Sequence, residues 1–566
     1  MSILCVELSE GRFSTLEDRK QKGLELGLSL YNEFGRESFV LVAVSKESFE
    51  SASSTLFIMV FTSPITNKVE FQYSNLAPGF SLYKLGYEAL VIKGRAPRLS
   101  YISMFSGTNE ILPCEFLKGK DSASFDEIAT KNLSDTTLST ARAADNGVKF
   151  ASLLCRGKAV RGAGLGYVFS MMNLKGIVLQ GFYTKDEGPK DKSCLRFSRK
   201  IETSKLARRT RKNGGNCIID DALRLGWIPV KNNSRRFDPR AYFLDGESFT
   251  EIYGNYPDSC QECFLACGRR KKDNTSLPSW NECMALGTNI GLFDPRDVTS
   301  LVDSAHFEGL DVNHLGAILG YVSAMDSSNL EVLSLSGRTS KEYIKLIHSI
   351  GASNGVGAIF RDGLKAFPDS LQSAEGQAIS YDLRGSFAEA LMTSLCIDIF
   401  LPASLIIAKK ELNERCSAIM ALYELCYILA LFSYGIGPLI ATCLYWDKIP
   451  KCAFSSPSLL RFFARRFSIC GLKGKDLLEN GLSIFTTLDP SFHKVPDFFE
   501  MNPESAKGTE TVQLARLQEY FLEEKARAEI WVKSKSDIIS KRSGKKSPAV
   551  GPDEDLGREG EPGLNK

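Results

Sequence analysis

The strongest constraint on the fold is a change in hydrophobic periodicity near residue 185. Before this point, short apolar or alternating runs separated by turn residues predict β-strands. After it, apolar residues recur with a period near 3.6, which predicts helices. A β-rich region followed by helical regions is an α+β arrangement rather than a series of βαβ units. The predicted strands cover residues 2–8, 39–44, 56–62, 89–92, 99–104 and 176–181, and the predicted helices cover residues 296–307, 312–324, 341–350 and 412–432.

The same pattern predicts three domains and a tail. Residues 1–185 form a β-rich N-terminal domain, residues 195–400 a helical domain, and residues 401–536 a second helical domain. Residues 537–566 are rich in Lys, Ser, Gly, Pro and Glu and have almost no large apolar side chains, so we expect a disordered tail.

Composition limits the function further. The chain of 566 residues carries 70 Lys and Arg against 67 Asp and Glu, and this net charge of +3 gives no electrostatic case for a nucleic-acid-binding protein. Fifteen Cys and four His in so long a chain are typical of buried thiols, with or without one metal site, rather than of a secreted disulfide scaffold. We therefore expect a protein of a reducing compartment, the cytoplasm.

Two segments bear on targeting. Residues 1–16 have neither a basic n-region nor a long apolar stretch, so no signal peptide is predicted. Residues 417–446 are apolar and long enough to cross a bilayer, but Glu424 and the helix breakers Gly435, Gly437 and Pro438 interrupt them. The favoured interpretation is a buried helix, a turn and a second short helix, so no membrane span is expected.

The sharpest local feature is a group of three cysteines, Cys260, Cys263 and Cys267, within eight residues. Their C-x2-C-x3-C spacing favours an iron–sulfur cube, in which each iron needs one thiolate. A zinc site and three unrelated buried thiols remain alternatives, although no His lies close by. A fourth ligand must come from elsewhere. Cys452 follows a Lys-Ile-Pro-Lys loop, whereas the cysteines at positions 416, 426 and 443 fall in apolar helical stretches typical of core thiols.

A glycine-rich stretch precedes the last predicted strand. Gly162, Gly164 and Gly166 lie beside Lys158 and Arg161, where backbone N–H groups could approach an anion. A tight turn that enters a packed strand pair explains the same pattern. The G-x-G-x-G spacing does not distinguish these two interpretations.

Taken in order along the chain, these features resemble the landmarks of the aldehyde ferredoxin oxidoreductase family, the tungsten- or molybdenum-pterin enzymes. The resemblance runs from residue 2 to about residue 533 and includes the glycine-rich stretch, the cysteine loop and a Gly-Leu-Asp motif at residues 309–311. The matching segments are residues 4–16, 62–66, 85–94, 146–152, 161–166, 173–177, 226–232, 285–291, 308–311 and 381–385.

The resemblance implies a fold, an activity and a set of site residues. The N-terminal domain would carry two pterins, and the two helical domains would cover them. Oxidation of an aldehyde to a carboxylic acid at the tungsten- or molybdenum-pterin centre would deliver electrons through a [4Fe–4S] cluster to ferredoxin or a similar carrier. No dimer-specific signal is visible, so a homodimer stays open. The implied cluster ligands are Cys260, Cys263, Cys267 and Cys452, the implied pterin-binding residues are Arg161, Gly162, Gly164, Gly166, Gly309, Leu310, Asp311 and Asp447, and the implied catalytic residue is Glu282.

Several functional positions depart from the family pattern. A family Arg corresponds to Leu56. The Gly-Leu-Asp motif is the second half of a D-x-x-G-L-D motif in the family, and His306 stands at the position of its first Asp. A family carboxylate corresponds to Asn281, whose amide cannot act as a general acid or base, unless Glu282 substitutes for it after a one-residue slip. No His occurs in residues 392–403, where the family has one near the metal.

These departures define the alternative functions. The first alternative is a cofactor-poor paralogue that keeps only the [4Fe–4S] cluster, as an electron-transfer or structural subunit. A zinc-stabilised binding protein is a more distant one.

Other polar residues are weaker candidates. The basic runs 208–212 and 269–272 are typical of solvated faces, but the second adjoins the cysteine loop. Arg269 and Arg270 are therefore a hypothetical docking site for an acidic ferredoxin. His306 and His314, eight residues apart, are expected to be surface or core residues rather than a metal pair.

Overall fold

The structure, a computed structural model, describes most of the first 367 residues and three helical segments nearer the C-terminus. The described residues are 1–17, 19–43, 57–74, 77–160, 162, 164–182, 192–224, 226–259, 263, 265–326, 338–367, 373–374, 377–379, 395, 414–433, 474–488 and 514–543.

A six-stranded mixed sheet begins the chain. Its strands are β1 (Ser2–Glu7), β2 (Arg12–Leu16), β3 (Phe39–Val42), β4 (Phe57–Thr62), β5 (Val69–Ser74) and β6 (Tyr87–Lys93). They are ordered β2-β1-β6-β3-β4-β5, and β1 and β6 run parallel while the other neighbours are antiparallel.

A second six-stranded sheet follows. Its strands are β7 (Ser100–Phe105), β8 (Thr108–Pro113), β9 (Thr136–Ser139), β10 (Leu153–Cys155), β11 (Lys158–Val160) and β12 (Leu174–Leu179). They are ordered β11-β10-β9-β12-β7-β8, with β7 and β12 parallel. Arg156 and Gly157 join β10 to β11 in a two-residue turn, and both have positive φ, as a tight hairpin of this type requires.

Alternation along the strands explains how the two sheets pack. Leu4 and Val6 of β1 lie in a core shared with Ile102 of the second sheet. Ile3 and Cys5, on the opposite face, belong to the core that the helices form. Because successive side chains of a strand point to opposite faces, the first sheet is covered on one side by the second sheet and on the other by helices.

Helices cover the sheets and build the rest of the described chain. Those within the N-terminal region are α1 (Gly23–Phe34), α2 (Pro78–Lys84), α3 (Ser122–Ala129), α4 (Arg142–Asp145) and α5 (Leu165–Met171). The later ones are α6 (Lys192–Glu202), α7 (Lys205–Asn213), α8 (Ile218–Arg224), α9 (Gly246–Tyr253), α10 (Trp280–Leu286), α11 (Pro295–Glu308), α12 (Val312–Ala324), α13 (Ser340–Ala352), α14 (Glu414–Ser433), α15 (Gly474–Leu488) and α16 (Leu514–Ser543). Two short hairpins, β13 (Tyr256–Asp258) with β14 (Gly268–Arg270) and β15 (Ser373–Ala374) with β16 (Gln377–Ala378), lie between them.

The α+β prediction is confirmed, with differences in detail. The four predicted helices correspond to α11, α12, α13 and α14. Sequence patterns did not predict six of the first twelve strands: β2, β5, β8, β9, β10 and β11. The side chains of β2, β5 and β8 are largely half-buried or exposed and lack a continuous apolar run, while β9 is mostly Thr and Ser and β10 and β11 have three residues each. The predicted tail is wrong at its start, since residues 537–543 continue α16. The domain boundaries stay a prediction.

The apolar segment from residue 417 begins as a buried helix, as predicted. From position 421 to its end at Ser433, every side chain of α14 is buried, and even Glu424 is inaccessible to solvent. Within the described part of the chain, no helix combines the length and apolar character needed to cross a bilayer. The predicted turn and second short helix lie outside the described residues.

A buried ion pair joins the N-terminal region to α11. The Arg142 guanidinium donates from Nε to Glu308 Oε2 at 2.7 Å and contacts Oε1 through a second nitrogen. His348 of α13 is hydrogen-bonded to the same carboxylate at 2.6 Å. Because Glu308 is fully buried, these partners compensate a charge that water cannot reach.

Candidate active site

The glycine-rich stretch lies in close contact with other parts of the protein. A side chain at Gly162 would overlap the carboxylate of Asp311, and the Gly166 N–H donates to the Ala151 carbonyl oxygen at 2.9 Å. Protein groups therefore surround these two glycines, which supports the close-packed turn over an open anion cradle. Arg161 lies outside the described residues.

The Gly-Leu-Asp motif connects two helices to the N-terminal domain. Gly309 ends α11 with φ of +75°, a left-handed conformation that glycine adopts readily. Leu310 is fully buried and forms a β-bridge with Ala151. Asp311 is the N-cap of α12 and accepts the Asn313 N–H at 2.8 Å. This acid is therefore already engaged as a helix cap.

Two of the four predicted cluster ligands fall within the described residues. Cys263 and Cys267 are both half-buried and lie close enough for a charge on one to act on the other. Cys260, Cys452 and the pterin candidate Asp447 lie outside the described residues. No group of three or more metal-ligating side chains occurs among those that are described.

The cysteine loop is held at both ends by backbone hydrogen bonds. The β13–β14 hairpin brackets it, with Asp258 opposite Gly268. Ala266 has a positive φ of +44°, and the Gly215 N–H donates to the Cys267 carbonyl oxygen at 2.7 Å. The positive φ of Ala266 turns the backbone directly before Cys267.

Without a bound metal, Cys267 is a weak acid. Burial is the main cause, and the charge of Cys263 adds to it, so that the pKa of the Cys267 thiol rises to about 11. A nearby cation is the usual means of ionising such a thiol, because it stabilises the thiolate. Cys267 is therefore not an activated nucleophile in the protein without a bound cation.

Arg269 does not form a docking site. Its side chain is buried, and its guanidinium donates to the backbone carbonyl oxygens of Ala266 and Gly268 in the loop and of Thr210 and Arg211 in α7. The planar fork of five N–H donors explains this role, since it can hold several carbonyls at once. The docking hypothesis is therefore wrong for Arg269, whereas Arg270 is exposed.

A cavity of about 1130 Å³ lies between the β10–β11 hairpin and the cysteine loop. It exceeds the volume of typical small-molecule pockets, which is about 300–1,000 Å³. Its wall includes Arg156, Lys158, Cys267, Trp280, Glu282 and His306.

The cations in this wall already have protein partners. The Arg156 guanidinium donates to the backbone carbonyls of residues 133–135 at 2.9–3.1 Å. Lys158 forms an ion pair with Asp258 of β13, so it links the hairpin to the cysteine loop rather than facing the glycine-rich stretch. Arg269, which also lines the cavity, holds the four carbonyls described above.

Glu282 and His306 form a hydrogen-bonded pair in the same wall. Ser279 is the N-cap of α10, and Glu282 Oε2 accepts its N–H at 2.7 Å and its hydroxyl at 2.8 Å, in a capping box. Glu282 Oε1 is 2.8 Å from His306 Nε2. Both oxygens of the carboxylate are therefore occupied.

The electrostatics of the pair keep Glu282 ionised. Burial raises the pKa of the Glu282 carboxyl, but the hydrogen bond and charge of His306 and the bonds from Ser279 together lower it below its usual 4.5. An ionised carboxylate with both oxygens engaged orients a neighbour better than it exchanges protons. The group placed to exchange a proton is the imidazole of His306, whose Nδ1 has no hydrogen-bond partner among the described residues.

The family resemblance implied Glu282 as a catalytic residue and identified His306 as a departure from a family motif, but it did not predict that the two side chains pair. The Ser-x-x-Glu spacing of a capping box places Glu282 on the first turn of α10. No local signal relates it to His306, which is 24 positions away on another helix. Asn281, which replaces a family carboxylate, donates instead to the Asn313 side chain at 2.8 Å.

His314 is a core residue. Its ring stacks on Phe150 with centroids 4.7 Å apart, and its Nε2 accepts the Leu364 N–H at 3.0 Å. Burial lowers the pKa of His314 from 6.5 to about 3, so the ring stays neutral in the folded protein. His314 is thus one of the core residues that the sequence analysis allowed for.

We expect His314 to make the folded protein less stable as the pH falls from about 6.5 to about 3. In this window the unfolded chain binds a proton that the folded chain excludes, so the free energy of unfolding decreases by at most about 1.4 kcal/mol per pH unit. His314→Gln keeps an acceptor but cannot titrate, so its loss of stability on acidification should be smaller. Urea unfolding at several pH values measures both proteins, and parallel curves would contradict the assignment.

Two family models match the chain. "Aldehyde ferredoxin oxidoreductase, N-terminal domain" matches residues 34–181, and "Aldehyde ferredoxin oxidoreductase, domains 2 & 3" matches residues 192–392. Together they cover more than half of the sequence.

Curated relatives and a solved structure agree with these matches. A tungsten-containing aldehyde ferredoxin oxidoreductase of Pyrococcus furiosus is 28% identical over 278 residues, which is 46% of this chain and 45% of that protein. An aliphatic sulfonate oxidoreductase, WOR-like subunit, of the same organism is 23% identical over 348 residues, 54% of each chain. The chain thus spans about half the length of the curated relatives it matches.

The structural comparison adds evidence on the fold. The active site complex BamBC of benzoyl coenzyme A reductase, solved with 1,5-dienoyl-CoA, superimposes with a TM-score of 0.66. The match covers 97% of this chain and 99% of that chain at 13% sequence identity. At this identity the similarity shows a shared fold alone.

Proposed function

Because the chain belongs to the aldehyde ferredoxin oxidoreductase family, we propose that it is an oxidoreductase that converts an aldehyde-type substrate to a carboxylate and passes the electrons through a [4Fe–4S] cluster to ferredoxin. The observation that carries this proposal is that Cys267 and the Glu282–His306 pair line one cavity of about 1130 Å³. A metal-ligating thiol and a proton-exchanging imidazole thus share one chamber.

The proposed net reaction balances without a further co-reactant. An aldehyde and a water molecule yield a carboxylate, three protons and two electrons. A tungsten- or molybdenum-pterin centre, when bound, would accept the electron pair. The part of this chain is to accept a proton from the water or hydrated aldehyde at His306, while the Glu282 carboxylate holds the ring in place and stabilises its protonated form.

The described residues fit an iron–sulfur cluster. Two thiols, Cys263 and Cys267, lie close together on one loop that Arg269 and a backbone hydrogen bond from Gly215 hold in place. Cys260 and Cys452 complete the proposed ligand set. The wall cation Arg269 braces the loop by holding its carbonyls, so the loop does not depend on the cluster alone for its shape.

The described residues fit a pterin less well, and this favours the second candidate function. The cavity is large enough, but Arg156, Lys158 and Arg269 already have partners, and Asp311 is a helix cap. Phosphate groups would need Arg161 or other cations beyond these. A cofactor-poor paralogue that keeps the cluster as an electron-transfer or structural subunit is therefore the alternative.

Metal analysis of anaerobically purified protein tests the proposal. We expect about four irons per chain, and we expect Cys263→Ala and Cys267→Ala to lose most of them, because each iron of the cube requires one thiolate. Cys155→Ala is the matched control, since Cys155 also lines the cavity but lies on β10 and contacts Thr136. This variant should retain its iron.

The same measurement separates the two candidates. About one tungsten or molybdenum per chain, with aldehyde oxidation coupled to a viologen dye, supports the enzyme. Iron without either metal, after expression with both supplied, supports the paralogue. Zinc in place of iron, or equal iron in wild type and both loop variants, contradicts the cluster.

A further inference from the structure

The charge of this protein is concentrated in two helices. Residues 192–213, which form α6 and α7, carry nine Lys and Arg and one Glu, a net charge of +8 in a chain whose total is +3. Eight of the nine cations are exposed. This α6–α7 basic surface consists of Lys192, Arg196, Arg199, Lys200, Lys205, Arg208, Arg211 and Lys212.

Backbone carbonyls at the end of α6 hold part of this surface in place. The Arg208 guanidinium donates to the Thr203 carbonyl oxygen at 2.8 Å, and that of Arg211 donates to the Glu202 carbonyl oxygen at 2.9 Å. Both guanidinium groups thus lie at the C-terminal, negative end of the α6 dipole, where cations are favoured. These hydrogen bonds hold Arg208 and Arg211 near each other despite the repulsion between their positive charges.

Among the side chains that the structure describes, the large apolar groups of these two helices face inward or are half-buried. Ile201 of α6 and Leu206 and Ala207 of α7 are fully buried in the main core. A membrane-binding amphipathic helix needs a free apolar face, so a bilayer is not the partner that this geometry favours. The exposed side chains described on α6 and α7 are polar and mostly positively charged.

The basic surface continues into the cysteine loop. The Gly215 N–H, two residues beyond α7, donates to the Cys267 carbonyl oxygen at 2.7 Å. Arg269 binds the carbonyls of Thr210 and Arg211, so the last turn of α7 is fastened to the loop. Asn213 and Gly215 also line the cavity. A partner seated on α7 would therefore lie beside the proposed cluster.

We propose that the α6–α7 basic surface docks an acidic electron-carrier protein against the cysteine loop. The inference rests on the proposed function and names the surface through which its electron partner binds. Complementary charge raises the association rate and orients the partner, which suits a transient redox complex. The surface lies next to the thiols of the proposed cluster, and this favours an electron carrier over a nucleic acid, which does not exchange electrons with such a cluster.

Binding of an acidic [4Fe–4S] ferredoxin, measured by calorimetry on the anaerobic full chain, tests the proposal. The charge-reversal variant R208E/R211E/K212E should raise Kd at least about tenfold, and wild-type binding should weaken as salt rises from about 50 to 200 mM. The control R98E/K118E/K120E reverses three exposed cations next to β7 and β8, at the opposite sheet edge from β11. Its Kd should stay within about twofold of wild type.

The outcomes are distinct. No binding to wild type, equal weakening in both variants, or an unchanged Kd in R208E/R211E/K212E overturns the docking surface. The proposal is also overturned if a single-stranded RNA binds wild type as tightly as ferredoxin does and if R208E/R211E/K212E no longer binds that RNA. Aldehyde oxidation with a viologen acceptor does not require docking of ferredoxin. If this activity is absent, the result counts against the proposed function, while the Kd values for ferredoxin still test the docking surface.

Discussion

Replacement of His306 by Gln is expected to lower the turnover number for aldehyde oxidation by about 10²–10⁴-fold, the usual contribution of a positioned acid–base group. The imidazole lines the cavity and is oriented by Glu282, whereas a Gln amide at the same place cannot exchange a proton. Steady-state kinetics with a viologen acceptor measure the loss. A His306→Gln protein that keeps its iron and its fold while it loses turnover would place the loss in the chemical step.

The control for this prediction is a second imidazole that contacts a carboxylate. His348 is hydrogen-bonded to Glu308 but does not line the cavity, so His348→Gln should leave the turnover number within about twofold of wild type. A loss of activity in His306→Gln that is accompanied by lost iron or lower thermal stability would assign His306 a structural role instead. Iron content and thermal unfolding of each variant show whether the fold and the cluster survive.

Replacement of Arg142 by Met is expected to lower the free energy of unfolding by about 3–5 kcal/mol. The substitution leaves the fully buried Glu308 carboxylate without its guanidinium, and an uncompensated buried charge is costly. Chemical denaturation followed by circular dichroism measures the change. The same loss should loosen the contact between the N-terminal region and α11.

Two further variants separate the buried pair from a general effect of lost charge. Arg98→Met removes an exposed partner of Glu115, 3.7 Å away, and should cost at most about 1 kcal/mol. In Arg142→Met/Glu308→Leu both charges are gone, so stability should recover in large part. Equal losses in Arg142→Met and Arg98→Met would contradict the buried-charge argument.

Local features of the site could be predicted from the sequence. The Ser-x-x-Glu spacing marks Glu282 as the third residue of α10, because a capping box depends only on neighbours along the chain. The Gly309–Asp311 motif likewise reads as the end of one helix and the N-cap of the next.

Charges were harder to interpret than motifs. The sequence shows that residues 269–272 are basic, yet Arg269 is buried and Arg270 is exposed. The difference depends on which backbone carbonyls lie within reach of each side chain after folding. Lys158 was likewise placed near an anion site, whereas the structure pairs it with Asp258, 100 positions away.

Hydrophobic periodicity and motif spacing are properties of neighbouring residues, so sequence patterns predict the α+β class, the family and two of the thiols that the structure brings together. The orientation of His306 by Glu282, the bracing of the cysteine loop by Arg269 and the pairing of the wall cations follow from tertiary contacts alone. These outcomes depend on hydrogen bonds between groups that are far apart in the chain, and burial, which makes such bonds strong, exists only once the chain has folded.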